Sequence, residues 1–326
     1  MKIFITGGSG FIGRNLKEAL AGTYEILAPS STELDLCDGE KVAAFLKNHK
    51  FDTVIHAATW NATKTSTKDT TRVLENNLRM FFNLARCKND YGKMIFFGSG
   101  AEFSRENWIP MMSEQYFDTH VPADQYGFSK YLMAKYAENA ENIYNLRLFG
   151  VFGKYEDWQI RFISNACARA AHDLPIIIRQ NVFFDYLYID DLIKIVKLFI
   201  ARVVRTKTYN VCTGSAVDLY TLATQVLTVS GKKLDILVVK EGLGREYSGD
   251  NSRLLQELGG FQFRAMASCI AELYEWYVSQ IAAIDMKKLI AEQRSGDVCV
   301  RSGVPIGRRT NILSSTQIED NTCECC

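Results

Sequence analysis

A glycine-rich turn set between an apolar strand and a helix constrains this chain more than any other feature. Lys2-Ile3-Phe4-Ile5-Thr6 reads as a buried strand, and Gly7-Gly8-Ser9-Gly10-Phe11-Ile12-Gly13 follows at once and opens an amphipathic run to Leu20. Strand, turn and helix in that register make a cradle for a phosphate group. The backbone must turn tightly and come close to the anion, which a Cβ would obstruct. The helix amino terminus then offers free N–H donors and a partial positive charge. Such a start predicts a parallel sheet, because the next strand returns by a right-handed crossover.

The following residues keep that rhythm. Strand patterns at 25–28, 53–56, 93–98 and 144–149 alternate with helical patterns at 11–20, 39–48, 69–88 and 123–142. The alternation predicts an α/β fold, a Rossmann-type doubly wound parallel sheet with helices on both faces. After Gly153 it gives way to a helix at 159–172, short strands at 175–178 and 185–189, and helices after Asp190 and Asp218. These predict a smaller C-terminal α/β substrate lobe. The expected division is 1–158 for nucleotide binding and 159–285 for the lobe, the two interleaved. The stretch 286–326 loses periodicity and is expected to be a disordered tail.

Composition excludes several function classes. Thirty-eight Lys and Arg against thirty-seven Asp and Glu leave a net charge of +1, so no field holds a polyanion and no nucleic-acid partner is expected. The amino terminus shows no secretory pattern, and no apolar run reaches about eighteen residues, so a cytoplasmic protein without a membrane span is expected. Five of the nine cysteines (Cys37, Cys87, Cys167, Cys212, Cys269) are scattered without paired spacing, as for reduced thiols. Cys323, Cys325 and Cys326 cluster with no His nearby, which is no closed ligand set, so no metal is expected.

The second informative motif is Tyr126-Gly127-Phe128-Ser129-Lys130, a phenol and an ammonium four residues apart on one helix. Together with Thr6-Gly7-x-x-Gly10-x-x-Gly13, it resembles the extended short-chain dehydrogenase/reductase superfamily, the group of nucleotide-sugar epimerases, dehydratases and 4-keto reductases. The resemblance runs from Met1 to about Tyr277. Further matches fall in order: Asp35-Leu36, His56-Ala57-Ala58-Thr59, Asn77, Phe97-Gly98-Ser99, Arg147-Leu148-Phe149-Gly150, Asp185-Tyr186, Tyr209-Asn210-Val211 and Gly249-Asp250-Asn251.

By this resemblance Tyr126 is the acid/base, Lys130 holds the nicotinamide ribose and favours the phenolate, and Ser99 binds the reacting sugar oxygen. A free phenol titrates near ~10, and bringing it toward neutrality takes roughly 4 kcal/mol. The resemblance places the cofactor against Gly7, Gly10, Phe11, Ile12 and Gly13, with Ser30, Asp35 and Leu36 toward the adenosine. Ala57, Ala58, Asn77, Phe97, Phe149, Tyr126 and Lys130 complete that set. Substrate falls to Ser99, Gly100, Arg161 and Arg179, with Arg169 and Arg245 as further candidates for its diphosphate, because Phe184 stands where the family often has an Arg.

The departures narrow the reaction. Dehydratases carry Thr-Asp-Glu where this chain has Ser99-Gly100-Ala101, and the epimerising Cys and His of enzymes resembling GDP-fucose synthase fall on Ala101 and Tyr155. Leu27-Ala28-Pro29-Ser30-Ser31 carries no acid to repel a 2′-phosphate, which favours NADP(H) over NAD. The expectation is NADP(H)-dependent reduction of a nucleotide-linked 4-keto-6-deoxy sugar in polysaccharide or glycoconjugate synthesis, by a homodimer. The alternative is a nucleotide-sugar 4-epimerase with bound NAD. A third reading, a non-catalytic dinucleotide sensor, leaves Ser99, Tyr126 and Lys130 without a purpose.

Overall fold

In a computed structural model the fold is described for residues 1–60, 63 and 65–295. The elements of the first half are β1 (Lys2–Thr6), α1 (Phe11–Leu20), β2 (Glu25–Leu27), α2 (Gly39–His49), β3 (Phe51–His56), α3 (Val73–Ala85), β4 (Tyr91–Ser99), α4 (Gln125–Glu138) and β5 (Ile143–Leu148). They alternate as the sequence predicts. Boundaries move most at the third helix, where Asp69 caps a short 3₁₀ turn at Thr70–Arg72 and α3 begins after it. The helix expected over 123–142 is α4, capped by Asp124, whose carboxylate accepts from Gly127 N at 2.8 Å.

The second half comprises β6 (Gly150–Phe152), α5 (Phe162–Ala171), β7 (Ile176–Asn181), β8 (Phe183–Phe184), β9 (Tyr186–Tyr188), α6 (Ile189–Ala201), β10 (Thr208–Val211), β11 (Val217–Asp218), α7 (Leu219–Ser230), β12 (Ile236–Leu243), α8 (Ser252–Leu258), α9 (Met266–Ser279) and α10 (Met286–Ser295). Six strands form one all-parallel sheet in the order β10-β5-β4-β3-β1-β2. Order reverses between β1 and β3, the switch point at which open α/β sheets bind ligands.

β10 comes from the second half yet pairs with β5 in the first. One apolar core likewise runs from Ile3 and Leu16 through Leu192 and Ile270 to Leu289. The expected tail at 286–326 needs correction at its start. α10 occupies 286–295, and its Leu289 is fully buried, with its carbonyl accepting from the buried Arg169 Nη1 at 2.9 Å. Its short polar stretch hides that anchor in the sequence. Residues 296–326, with the cysteine cluster, lie outside the described residues. No described helix is long and apolar enough to cross a membrane, and no described group of His, Cys, Asp and Glu could hold a metal.

Candidate active site

The glycine turn is built for close approach. Gly7 has φ +67°, and a Cβ there would lie 2.8 Å from the Ala58 backbone. A Cβ on Gly13 would collide with the Gly7 carbonyl, so the first turn of α1 seats directly on the loop. Gly10 N donates to Gly7 O at 2.9 Å, and no side chain caps α1. The first-turn N–H groups of Phe11, Ile12 and Gly13 therefore remain to serve an anion. Thr6 Oγ1 accepts from Ala58 N at 3.1 Å and bonds His56 Nδ1 at 2.9 Å, which locks the ends of β1 and β3 together. A dinucleotide pyrophosphate fits this cradle.

A pocket opens beside the turn at the carboxyl edge of the sheet. Its floor and walls include Phe11, Ile12, Ala57, Ala58, Phe97, Ser99, Tyr126, Lys130, Phe149 and Arg161. All three expected catalytic groups meet there. Lys130 is buried, and its ammonium donates to Phe97 O at 2.8 Å and lies 5.8 Å from the Tyr126 ring centroid. Burial pulls Lys130 down to about 8, opposed by the charge of Glu102. Ser99 Oγ accepts from Ala101 N at 3.1 Å, so its own hydrogen is left to donate to a substrate oxygen. Gly127 lets α4 approach this turn, since a Cβ would stand 2.5 Å from Ala101 O.

Several expected residues do not line this pocket. Asn77 does not line the pocket; its amide accepts from Trp60 N at 2.7 Å and donates to Trp60 O at 3.1 Å, clamping the chain that leaves β3. Asp35 caps a turn by accepting from Cys37 N, Leu36 is buried with its carbonyl held by Asn83, and Gly100 is buried in the turn after Ser99. Ser30 gives its backbone N–H and its hydroxyl to Glu33, at 2.7 and 2.8 Å. The expectation that the end of β2 presents no carboxylate is thereby corrected: Glu33 folds back onto it.

Of the four candidate arginines, only Arg161 is among the described residues that line the pocket. Arg179 is exposed on β7, and Arg245 donates to the Arg105 carbonyl. Arg169, a candidate for substrate phosphate, is buried against Pro175 O and Leu289 O and is structural. Tyr155 turns away from the pocket. Its ring lies under the Arg14 guanidinium at 3.6 Å and edge-on to Trp276.

One pocket group, Glu156, escaped sequence reasoning, and another, His56, entered it only within the matched run at the end of β3. Glu156 is the only carboxyl group among the described lining residues; burial raises it to about 8, opposed by Arg161, and Ser164 Oγ donates to it. His56 is driven to about 3, by burial first and then by the Lys130 charge, so it stays neutral. At neutral pH neither is a base or an imidazolium acid. Only proximity in the fold, and no local spacing, could have revealed Glu156.

Strand order, glycine turn and the Ser99, Tyr126 and Lys130 trio together define an enzyme of the extended short-chain dehydrogenase/reductase class. The model of the NAD dependent epimerase/dehydratase family matches residues 3–212, and the chain belongs to that family. It is 26% identical over 296 residues to a GDP-6-deoxy-D-talose 4-dehydrogenase of Aggregatibacter actinomycetemcomitans, covering 84% of this chain and 97% of that protein. Among solved structures, a GDP-mannoheptose C4 reductase from Campylobacter jejuni with NADP bound superposes with a TM-score of 0.72 at 21% identity, over 85% of this chain and 98% of that one. A UDP-glucose 4-epimerase from Thermotoga maritima with UDP-glucose gives 0.73 at 21%, over 86% and 100%. These two share the fold.

Proposed function

We propose that this enzyme uses NADP(H) to reduce the 4-keto group of a nucleoside-diphosphate-linked 4-keto-6-deoxy sugar. One observation carries the reading: Ser99, Tyr126 and Lys130 line one pocket, and Glu156, the one carboxyl group among its described lining residues, is protonated there and offers no carboxylate base. Ala101 is buried where elimination would need an acid, Tyr155 faces Arg14, and Glu156 is held neutral. The chemistry left is at one carbon.

The nicotinamide, when bound, supplies the hydride. Ser99 holds the carbonyl oxygen through its free hydroxyl hydrogen, and Tyr126 delivers the proton to that oxygen. Lys130 favours the resulting phenolate by its charge. Arg161 is the group suited to the substrate diphosphate, since a guanidinium binds phosphate oxygens in pairs. The relatives that act on GDP sugars support this substrate class.

A second reading, a 4-epimerase that keeps NAD, is favoured by one observation: the Glu33 carboxylate bonded to Ser30 would repel a 2′-phosphate nearby. We assign the active unit as a homodimer formed through the outer faces of α3 and α4. Purified protein is scanned for bound nicotinamide, then given NADPH with a panel of nucleoside-diphosphate 4-keto sugars. One NADPH consumed per product supports the reductase. Interconversion of 4-epimers without net cofactor consumption overturns it.

A further inference from the structure

Glu102 follows Ser99 by three residues and is wholly buried, with its carboxylate paired to the equally buried Arg147 at 2.6 Å. It also accepts from Ser99 N at 3.0 Å and from Asn145 Nδ2 at 3.1 and 3.0 Å. Ser99 answers through its own hydroxyl, so the two close a capping box around the turn. Arg147 lies over the rings of Phe103 and Phe117, at 4.4 and 4.8 Å, and donates to Asn210 Oδ1 at 3.1 Å. Asn210 is itself buried and in turn donates to Met112 O.

A buried ion pair is weak evidence for stability, because desolvating both partners offsets most of their attraction. Its placement is more informative. The groups facing Lys130 are His56 from β3, Tyr126 from α4 and Phe97 O from β4, with Glu102 in the turn beyond. Among them Glu102 alone is an anion. We propose that Glu102 is the positioning residue of this site: its carboxylate fixes Ser99 through the backbone N–H and, packed on Gly98 beside the Phe97 carbonyl that holds Lys130, sets an anion at that strand end. This rests on the roles given above to Ser99 and Lys130.

The test uses the full chain with ¹³C-labelled lysine, following the Lys130 Cε resonance with pH. The double variant E102Q/R147Q removes both charges, so no buried ion is left alone. The Lys130 midpoint is expected to fall by about half a unit or more. NADPH oxidation with an accepted keto sugar is expected to slow about twofold or more at pH 8, where that shift changes the ammonium fraction most, with the NADPH KM close to that of wild type. If that variant does not fold, E102M/R147M, an apolar pair of similar volume, takes its place. An unchanged Lys130 midpoint overturns the proposal. Undiminished turnover in Tyr126→Phe would instead overturn the reading of the site, and the Lys130 titration would still judge Glu102 on its own.

Discussion

Lys130 on α4 reaches across to β4 and donates to the Phe97 carbonyl at 2.8 Å, two residues before Ser99. That one bond sets the register between the helix that carries Tyr126 and the strand end that carries the serine. Tyr126→Phe keeps the ring and this register while removing the proton. Hydride transfer from NADPH to a 4-keto sugar nucleotide is expected to slow by about 10²-fold or more in single-turnover measurements. NADPH binding, read by nucleotide fluorescence, should be nearly unchanged.

The same buried ammonium sets a pH limit. Burial lowers Lys130 to about 8, so the charge is present below that pH and is lost as pH rises through it. The free enzyme's kcat/KM is therefore expected to fall on an alkaline limb near pH 8. A limb near 10, in the range of a solvated lysine, would count against the burial argument.

Glu33 makes the cofactor choice testable with one substitution. Its carboxylate takes both donors of Ser30. Glu33→Gln removes the charge while keeping an acceptor for Ser30, and the ratio of NADPH to NADH affinity is expected to rise about tenfold, the effect of removing one anion near a phosphate. Titration of both nucleotides into wild type and variant decides it. No change in the ratio would place the 2′ position away from Glu33.

Glu156 gives a stability signature of opposite sign to an ordinary carboxylate. Its value is near 4.5 unfolded and about 8 folded, so between those limits the folded protein holds a proton that the unfolded chain has released. Stability is then lost as pH rises through that window. Glu156→Gln keeps the neutral shape, and its Tm is expected to decline less than wild type between pH 5 and 8, by several degrees, in scanning calorimetry.

What the sequence disclosed and what it withheld divide along contact distance. Gly7, Gly13, Tyr126 and Lys130 act within one turn or one strand-to-helix junction, and local spacing reveals them. Glu102 and Arg147 are forty-five residues apart and meet only because β4 and β5 are neighbours. Arg169 reads in the sequence as a candidate for the substrate's diphosphate. Its role is set by α10, more than a hundred residues later in the chain. Ser30 and Glu33 are close in sequence, yet only the turn after β2 shows that one silences the other. Asn77 was placed at the site by resemblance, and the fold shows that it shapes the loop at 59–60.

β10 has a consequence for anyone who would recombine this enzyme. Because Thr208–Val211 completes the main sheet beside β5, no single cut separates a nucleotide module from a substrate module. A chimaera that exchanges residues after 158 for those of a relative also replaces a sheet edge and Asn210, which answers Arg147. A graft of new specificity onto this scaffold must leave that strand behind and splice on both sides of it.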